Sequence, residues 1–195
     1  LKCHHPAEFV AALLNSQPMG FYAPHTLMDD ARRHGVEFRP VSPNHSAWDY
    51  TVEAPGVVRG GIRSVYGLAR ARAEAWVRER QTRPFESLRD FVARSGVRAE
   101  VLHRLALAGV FEELGWAHPR EALWEILKLQ NYEFPGEAPF QYDLFKNPNA
   151  YEQVLKEYAA TGTSVRGHPI GALRALGYPL GRHTSADLAR LRPGQ

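Results

Sequence analysis

The spacing of apolar and polar residues along this 195-residue chain is mostly that of amphipathic helices. Strand-like alternation is confined to residues 36–41 and a short run at 57–63. The pattern therefore predicts a mainly α fold with minor short strands. Outside the centre of the chain, apolar residues recur at helical intervals in five stretches: residues 6–14, 26–34, 119–130, 151–160 and 170–176.

Proline, glycine and small polar residues mark the ends of these stretches. The second helix is expected to begin at Thr26, with Asp29 in the capping-box position, and to end at Gly35. In the centre of the chain, Ser87 is expected to cap a helix. Residues 132–148 contain three prolines and little periodicity, which predicts a linker or irregular loop.

Two helical patterns in residues 59–115 are each interrupted by a glycine. The first stops at Gly67 and resumes at Leu68, and the second is interrupted at Gly96 and resumes at Val101. Glycine readily adopts the positive φ that ends one helix and lets another begin within a few residues. The pattern predicts a tandem helix-hairpin-helix domain flanked by further helices.

This central stretch also carries most of the positive charge. Residues 59–104 hold eleven arginines, no lysine and five acidic residues, a net charge of +6 against +3 for the whole chain. The first turn of a helix has unpaired N–H groups and a partial positive charge that suit a phosphate, and arginines add attraction that is independent of base sequence. The predicted DNA contacts are Gly67, Leu68, Ala69, Arg70, Arg72, Ser95, Gly96, Val97, Arg98 and Arg104. A pair of helical turns with an ordinary solvated surface is the simpler interpretation of the same residues.

Composition excludes several other classes of protein. The fractions of hydrophobic residues, 44%, and charged residues, 23%, are typical of a globular protein. No apolar run approaches the roughly 20 residues of a membrane span, and the lack of a basic-then-apolar start means that no secretory signal is expected. The single cysteine, Cys3, excludes an internal disulfide and is typical of a cytoplasmic protein. Because the chain opens on Leu1 and enters an apolar pattern at once, it is expected to be a piece of something longer.

No group of residues suggests catalysis or metal binding in this segment. Transfer of nucleotides requires gathered carboxylates that hold two metal ions, whereas Asp29-Asp30 and Glu112-Glu113 are isolated pairs expected on helix surfaces or ends. Cys3, His4 and His5 are adjacent, and adjacent side chains rarely converge on one ion. The segment is therefore expected to have no catalytic residue, no metal and no cofactor.

Several ordered blocks of the sequence resemble bacterial C-family DNA polymerases, that is, the replicative polymerase III alpha subunit and its relatives. LKCHHPAEFVAALL at residues 1–14 resembles a segment of that family, and PFESLRDF (84–91) and LAGVFEELG (107–115) follow in the family's order. NSQPMGFYAP at 15–24 and YAATGTSVRGHP at 158–169 are similar to the error-prone, translesion branch.

The resemblance implies an organisation for the chain. Residues 1–58 would be the end of the fingers region and residues 59–116 a double helix-hairpin-helix domain that holds duplex DNA. Residues 117–195 would be a helical connector towards an OB domain that is absent here. The family's metal-binding aspartates lie in a palm region before this segment, so Mg²⁺ belongs to the parent polymerase only.

The resemblance also implies a role in DNA damage tolerance and damage-induced mutagenesis, through an error-prone parent polymerase. Its expected partners are double-stranded DNA, an accessory mutagenesis protein and, through that protein, the sliding clamp, with no membrane. Ala69 and Tyr66 depart from the family's pattern, which often has a second glycine and a lysine at these positions. An alternative stays open, in which degenerate hairpins serve as a protein-interaction scaffold and the acidic stretch 105–160 docks an accessory protein.

Overall fold

A computed structural model describes residues 2–20, 22–130 and 149–178 of the chain. Helices dominate these ranges, which confirms the predicted mainly α fold. The predicted linker at 132–148 lies outside the described residues. The α-helices are α1 (Pro6–Asn15), α2 (Pro24–Arg33), α3 (Arg70–Thr82), α4 (Leu88–Ser95), α5 (Ala99–Leu107), α6 (Pro119–Leu129), α7 (Ala150–Thr161) and α8 (Pro169–Ala175). Two 3₁₀ turns, Ile62–Ser64 and Glu112–Leu114, and three strands, β1 (Glu37–Arg39), β2 (Thr51–Ala54) and β3 (Val57–Arg59), complete the described elements.

The predicted Thr26 cap of α2 is wrong. The helix begins two residues earlier, at Pro24, and no side chain caps it. Proline has its φ fixed near the helical value, and the N–H that it lacks would have no partner within the helix, so proline is favoured at the first helical position. By contrast, the Ser87 hydroxyl accepts a hydrogen bond from the backbone N–H of Asp90 at 3.1 Å, as predicted for the start of α4.

The three strands form one small sheet in the order β1-β3-β2. β1 runs parallel to β3, with Phe38 opposite Val58, and β2 is antiparallel to β3 with a bulge before Ala54. β2 was not predicted, because its residues are mostly exposed and carry no strong alternation of apolar and polar side chains. Val58 at the centre of the sheet is completely buried.

Two hydrophobic cores lie within the described residues. An N-terminal core joins α1, α2 and the sheet through residues that include Leu14, Met28 and Val58. A larger hairpin core joins α3 to α6 and centres on aromatic rings, with the Phe91 ring 4.9 Å from that of Trp76 and 5.2 Å from that of Phe111. The domain boundaries at residues 58 and 116 stay predictions.

The loop at residues 42–46 fastens the start of the hairpin region to its core. Trp76 Nε1 donates to the Pro43 carbonyl at 2.8 Å, and Asn44 exchanges two hydrogen bonds with the backbone of Phe85. Gly61 passes so close to residues 48–50 that a Cβ there would lie 2.6 Å from the Tyr50 nitrogen. The glycine pair before the first hairpin is therefore required by a close backbone approach.

Candidate nucleic-acid interface

Both predicted hairpin turns are present, and each turns on a glycine with positive φ. Gly67 has a φ of 81° and precedes α3, and Gly96 has a φ of 60° between α4 and α5. The two hairpins differ in their first helices. α4 is a regular helix of 8 residues, whereas the first hairpin begins with the 3₁₀ turn Ile62–Ser64. The N–H groups of Ile62 and Arg63 donate to the carbonyls of Ala47 and Trp48, which ties this turn to the preceding loop.

The helices that follow the two turns have open N-termini. In the described part of the chain, no side chain caps α3, whose N-cap is Ala69, or α5, whose N-cap is Arg98, and neither helix begins with proline. The other described α-helices begin differently: α1, α2, α6 and α8 start with proline, α4 is capped by Ser87 and α7 by Asn149. Unpaired N–H groups and the positive end of the helix dipole thus remain available at both hairpins.

Each hairpin glycine lies against an arginine that belongs to the other hairpin. A Cβ added at Gly96 would lie 2.6 Å from Nη1 of Arg72 in α3, and one added at Gly67 would lie 2.5 Å from Nη1 of Arg104 in α5. The Arg104 guanidinium also donates to the Tyr66 carbonyl at 2.8 Å. The absence of a side chain at each glycine therefore leaves room for the guanidinium from across the interface.

A cleft of about 420 Å³ lies between the two turns and is lined by residues from both hairpins, among them Gly67, Ala69, Arg72 and Arg98. The cleft brings together five of the ten predicted contacts, Gly67, Leu68, Ala69, Arg72 and Arg98, while Gly96 and Arg104 lie against Arg72 and Gly67. Three of the predicted residues have side chains that face the protein interior: Leu68, Ser95 and Val97. Leu68 nevertheless borders the cleft, whereas Ser95 and Val97 do not line it.

Some arginines of the hairpin region form an ion pair with a carboxylate, and others have no carboxylate partner among the described residues. Within the described residues, Arg72, Arg98 and Arg104 have no carboxylate oxygen within 4.0 Å. Arg70 differs from them, because its Nε donates to Glu74 Oε1 at 2.8 Å and its guanidinium lies 6.0 Å from the Trp48 ring. The spacing of Arg70 and Glu74, four residues apart on a helix, is a sequence signal for this pair that the prediction overlooked.

Arg78, which the prediction omitted, is a further arginine with no ion pair among the described residues. It lies exposed on α3 and has no carboxylate oxygen within 4.0 Å in the described part of the chain. Arg80, in contrast, has a structural role: its Nη1 donates to the Ser46 carbonyl at 2.5 Å, and burial lowers the pKa of its guanidinium. Arg78 is exposed and Arg80 is partly buried, because they lie on different faces of α3 and only one of these faces packs on the core. The sequence alone does not show which face that is.

The isolated carboxylates form local contacts. Asp29 accepts from Arg32 at 2.7 Å, and the hydrogen bond from Lys2 lowers the pKa of Asp30. Glu113 was expected to be a solvated helix end, but it accepts from the Ser42 hydroxyl at 2.6 Å and the Asn44 N–H at 3.0 Å. In residues 2–20, 22–130 and 149–178, no three His, Cys, Asp or Glu side chains are gathered as metal ligands. Nor is any helix in these ranges long and apolar enough to cross a membrane.

The paired turns, each on a left-handed glycine and each followed by an uncapped helix, define a helix-hairpin-helix protein. In agreement, residues 35–122 match the helix-hairpin-helix motif family. Over 89% or more of its length the chain is similar to part of proteins named error-prone DNA polymerase, which is consistent with a segment of a C-family polymerase of the error-prone branch.

Three of these relatives illustrate the extent of the match. The chain is 38% identical over 220 residues to an error-prone DNA polymerase of Methylococcus capsulatus, and the match covers all of this chain and 21% of that protein. It is 42% identical to one of Anaeromyxobacter sp. strain K, covering 89% of this chain and 17% of the relative. It is 41% identical to error-prone DNA polymerase 3 of Agrobacterium fabrum, covering 89% and 18%. The chain thus spans about a fifth of the length of these curated relatives.

Proposed function

We propose that this segment binds the backbone of duplex DNA without regard to base sequence. The observation that carries the proposal is the open N-terminus of α3 and of α5, each of which begins three residues after a hairpin glycine. Every other described α-helix has a capping side chain or a starting proline in this position. The two helices that begin with neither feature, and so keep all of their first-turn N–H groups uncapped among the described residues, are those that a helix-hairpin-helix domain would direct at phosphates.

The charge around the two turns supports a phosphate ligand. Arg72 and Arg98 line the cleft between the hairpins, and no carboxylate oxygen in the described residues lies within 4.0 Å of either guanidinium. An unpaired guanidinium offers up to five N–H donors to phosphate oxygens. Because both the backbone N–H groups and these arginines recognise phosphate, the expected binding depends on salt and not on base sequence.

A proposed role for the whole protein is supported by its relatives. We propose that the chain is part of an error-prone DNA polymerase that acts in translesion synthesis and damage-induced mutagenesis in the cytoplasm. The parent would use Mg²⁺ for nucleotide transfer, and an accessory mutagenesis protein would link it to the sliding clamp. Support for this proposal comes from relatives named error-prone DNA polymerase. The segment itself is proposed to hold DNA during a reaction carried out elsewhere in the parent.

A salt titration of duplex binding tests the proposal. The purified chain is titrated against two fluorescent duplexes of unrelated sequence, with anisotropy as the readout, at several salt concentrations. Each phosphate contact contributes a slope of about −0.9 to log K against log salt, so Arg72→Ala and Arg98→Ala should each flatten the slope by about that amount. Both duplexes should weaken alike.

Arg89→Ala is the matched control, because it removes the same charge from an exposed arginine outside the cleft, 4.0 Å from Glu125. It should leave the slope close to that of the unaltered chain. If Arg72→Ala and Arg98→Ala change the slope no more than Arg89→Ala does, the hairpins are not the DNA contact. That result would favour the scaffold alternative.

A further inference from the structure

We infer that the carboxyl end of α7 is a working part of the first hairpin, in which Ala160 and Gly162 position the Gly67 turn for phosphate binding. The inference rests on the proposed function. α7 lies more than eighty residues beyond this turn and outside residues 35–122, which match the helix-hairpin-helix family. The unit that presents phosphate-binding groups would therefore extend into the region predicted to be a connector.

The turn is held from two sides. On one side, the backbone N–H of Tyr66 donates to the Ala160 carbonyl at 3.1 Å. The Tyr66 ring lies over Gly162, where an added Cβ would overlap the hydroxyl oxygen and lie 3.2 Å from Cζ. On the other side, the Arg104 guanidinium donates to the Tyr66 carbonyl at 2.8 Å. Both backbone polar groups of the residue before Gly67 are thus fixed by distant parts of the chain.

The first hairpin needs such support because its first helix is incomplete. In the second hairpin, the 8-residue α4 leads into Gly96 and buries Leu88 and Phe91 in the hairpin core. In the first hairpin, only the 3₁₀ turn Ile62–Ser64 precedes Gly67. A single short turn provides few hydrogen bonds to hold the residues that follow it. The end of α7 therefore substitutes for the missing length of helix.

The end of α7 is itself firmly anchored. Glu157 is only 5% exposed and accepts hydrogen bonds from the Ser164 hydroxyl at 2.5 Å and the Val165 N–H at 3.1 Å. Arg166 Nε donates to the same carboxylate at 2.6 Å, and its Nη2 donates to Glu112 at 3.2 Å. This network ties the loop after α7 to the 3₁₀ turn that follows α5. Because the end of α7 is held in place, its contacts with Tyr66 can hold the Gly67 turn in place.

Gly162→Ala tests the inference, with Gly177→Ala as the matched control. Both glycines have positive φ, 72° and 81°, so alanine strains the backbone similarly at each. Among the described residues, a Cβ at Gly177 meets no atom within 4 Å, whereas one at Gly162 displaces the Tyr66 ring. Gly162→Ala should weaken duplex binding by about tenfold, the effect of losing one hydrogen bond to a charged group. Gly177→Ala should leave the affinity close to that of the unaltered chain.

The double variant Gly162→Ala with Tyr66→Phe separates positioning from general damage to the fold. Removing the hydroxyl oxygen leaves Cζ as the nearest ring atom, at 3.2 Å from the new Cβ. The double variant should therefore recover the affinity of Tyr66→Phe alone. Tyr66→Ala removes the same contact from the other side without backbone strain, and it should weaken binding as Gly162→Ala does. Circular dichroism melting is recorded for every variant.

Amide hydrogen exchange at residues 65–69 gives a readout that does not require DNA. Exchange there should be faster in Gly162→Ala than in Gly177→Ala and should slow again in the double variant. The inference is overturned if Gly162→Ala matches Gly177→Ala, or if the loss persists in the double variant. If the unaltered chain does not bind duplex DNA, the proposed function fails. The exchange rates then decide alone whether α7 positions the turn.

Discussion

Replacing Glu74 with glutamine should strengthen DNA binding, because Glu74 forms an ion pair with Arg70 at the start of α3. Glu74 Oε1 accepts from Arg70 Nε at 2.8 Å, and the two side chains are 46% and 68% exposed. An exposed pair of this spacing stabilises a protein by about 0.3–0.5 kcal/mol, so its loss should change the fold little. The variant would release the guanidinium at the first turn of α3 and remove a negative charge that repels phosphate.

The expected gain follows from one additional phosphate contact. Such a contact steepens the slope of log K against log salt by about 0.9, so over a fourfold range of salt the advantage of the variant should change by about 3.5-fold, largest at low salt. Glu86→Gln is the control, since Glu86 is 73% exposed and also faces an arginine, Arg83, at 3.9 Å. Glu86 precedes α4, and the 8 residues of that helix separate it from the Gly96 turn by about 12 Å. That separation exceeds the Debye length of about 10 Å at 0.1 M salt.

Fluorescence anisotropy with one labelled duplex, at salt concentrations from about 50 to 200 mM, measures both variants against the unaltered chain. Glu74→Gln should bind more tightly with a steeper slope, and Glu86→Gln should alter the affinity far less. Equal gains for the two variants would show that only net charge matters. Unchanged binding by Glu74→Gln would show that Arg70 does not reach DNA, and the reasoning about α3 would then be wrong.

Three further predictions concern stability and charge. Phe91→Ala should lower the free energy of unfolding, measured in urea, by about 3–5 kcal/mol, because its ring is fully buried against three aromatic rings. Phe9→Ala, at a half-buried position, should lower the free energy of unfolding by less. Glu100→Gln should lower the melting temperature slightly, since this carboxylate lies in the first turn of α5, yet it should strengthen duplex binding measured by anisotropy. The hydrogen bond from Arg59 lowers the pKa of the Glu53 carboxyl in the folded protein. The ionised carboxylate therefore stabilises the fold fully above the pKa of the unfolded chain, about 4.3, and this stabilisation is lost as the pH falls through the lower pKa of the folded protein. Urea unfolding of Glu53→Gln should therefore differ from that of the unaltered chain at neutral pH and converge with it in acid.

Residues that act locally on the backbone were predictable from the sequence. Gly67 and Gly96 were predicted to end one helix and start another, and both adopt positive φ. Ser87 was predicted to cap α4 and does so. The effect of such residues on the backbone depends on a few neighbours in the sequence, so it can be predicted from one sequence without a structure. Thr26 was a wrong prediction of the same kind, because Pro24 begins the helix before a cap is needed.

Contacts between distant parts of the chain were not predictable in this way. The placement of Arg72 beside Gly96, and of Arg104 beside Gly67, depends on how the two hairpins pack. The bond from Tyr66 to Ala160 joins residues that no local pattern relates. The hairpin residues could be named as candidates from spacing and charge. Which arginines are unpaired, and which groups hold the turns, required the three-dimensional arrangement.

The exchange of arginines between the hairpins limits how this region can be recombined. Each turn has room for a guanidinium that its own hairpin does not supply, since Arg72 lies at Gly96 and Arg104 at Gly67. A chimera that imports one hairpin from a relative would bring a glycine without its partner arginine, or an arginine without its partner glycine. The hairpins should therefore be transplanted together, as one cassette, and substitutions that appear in one should be accompanied by matching substitutions in the other.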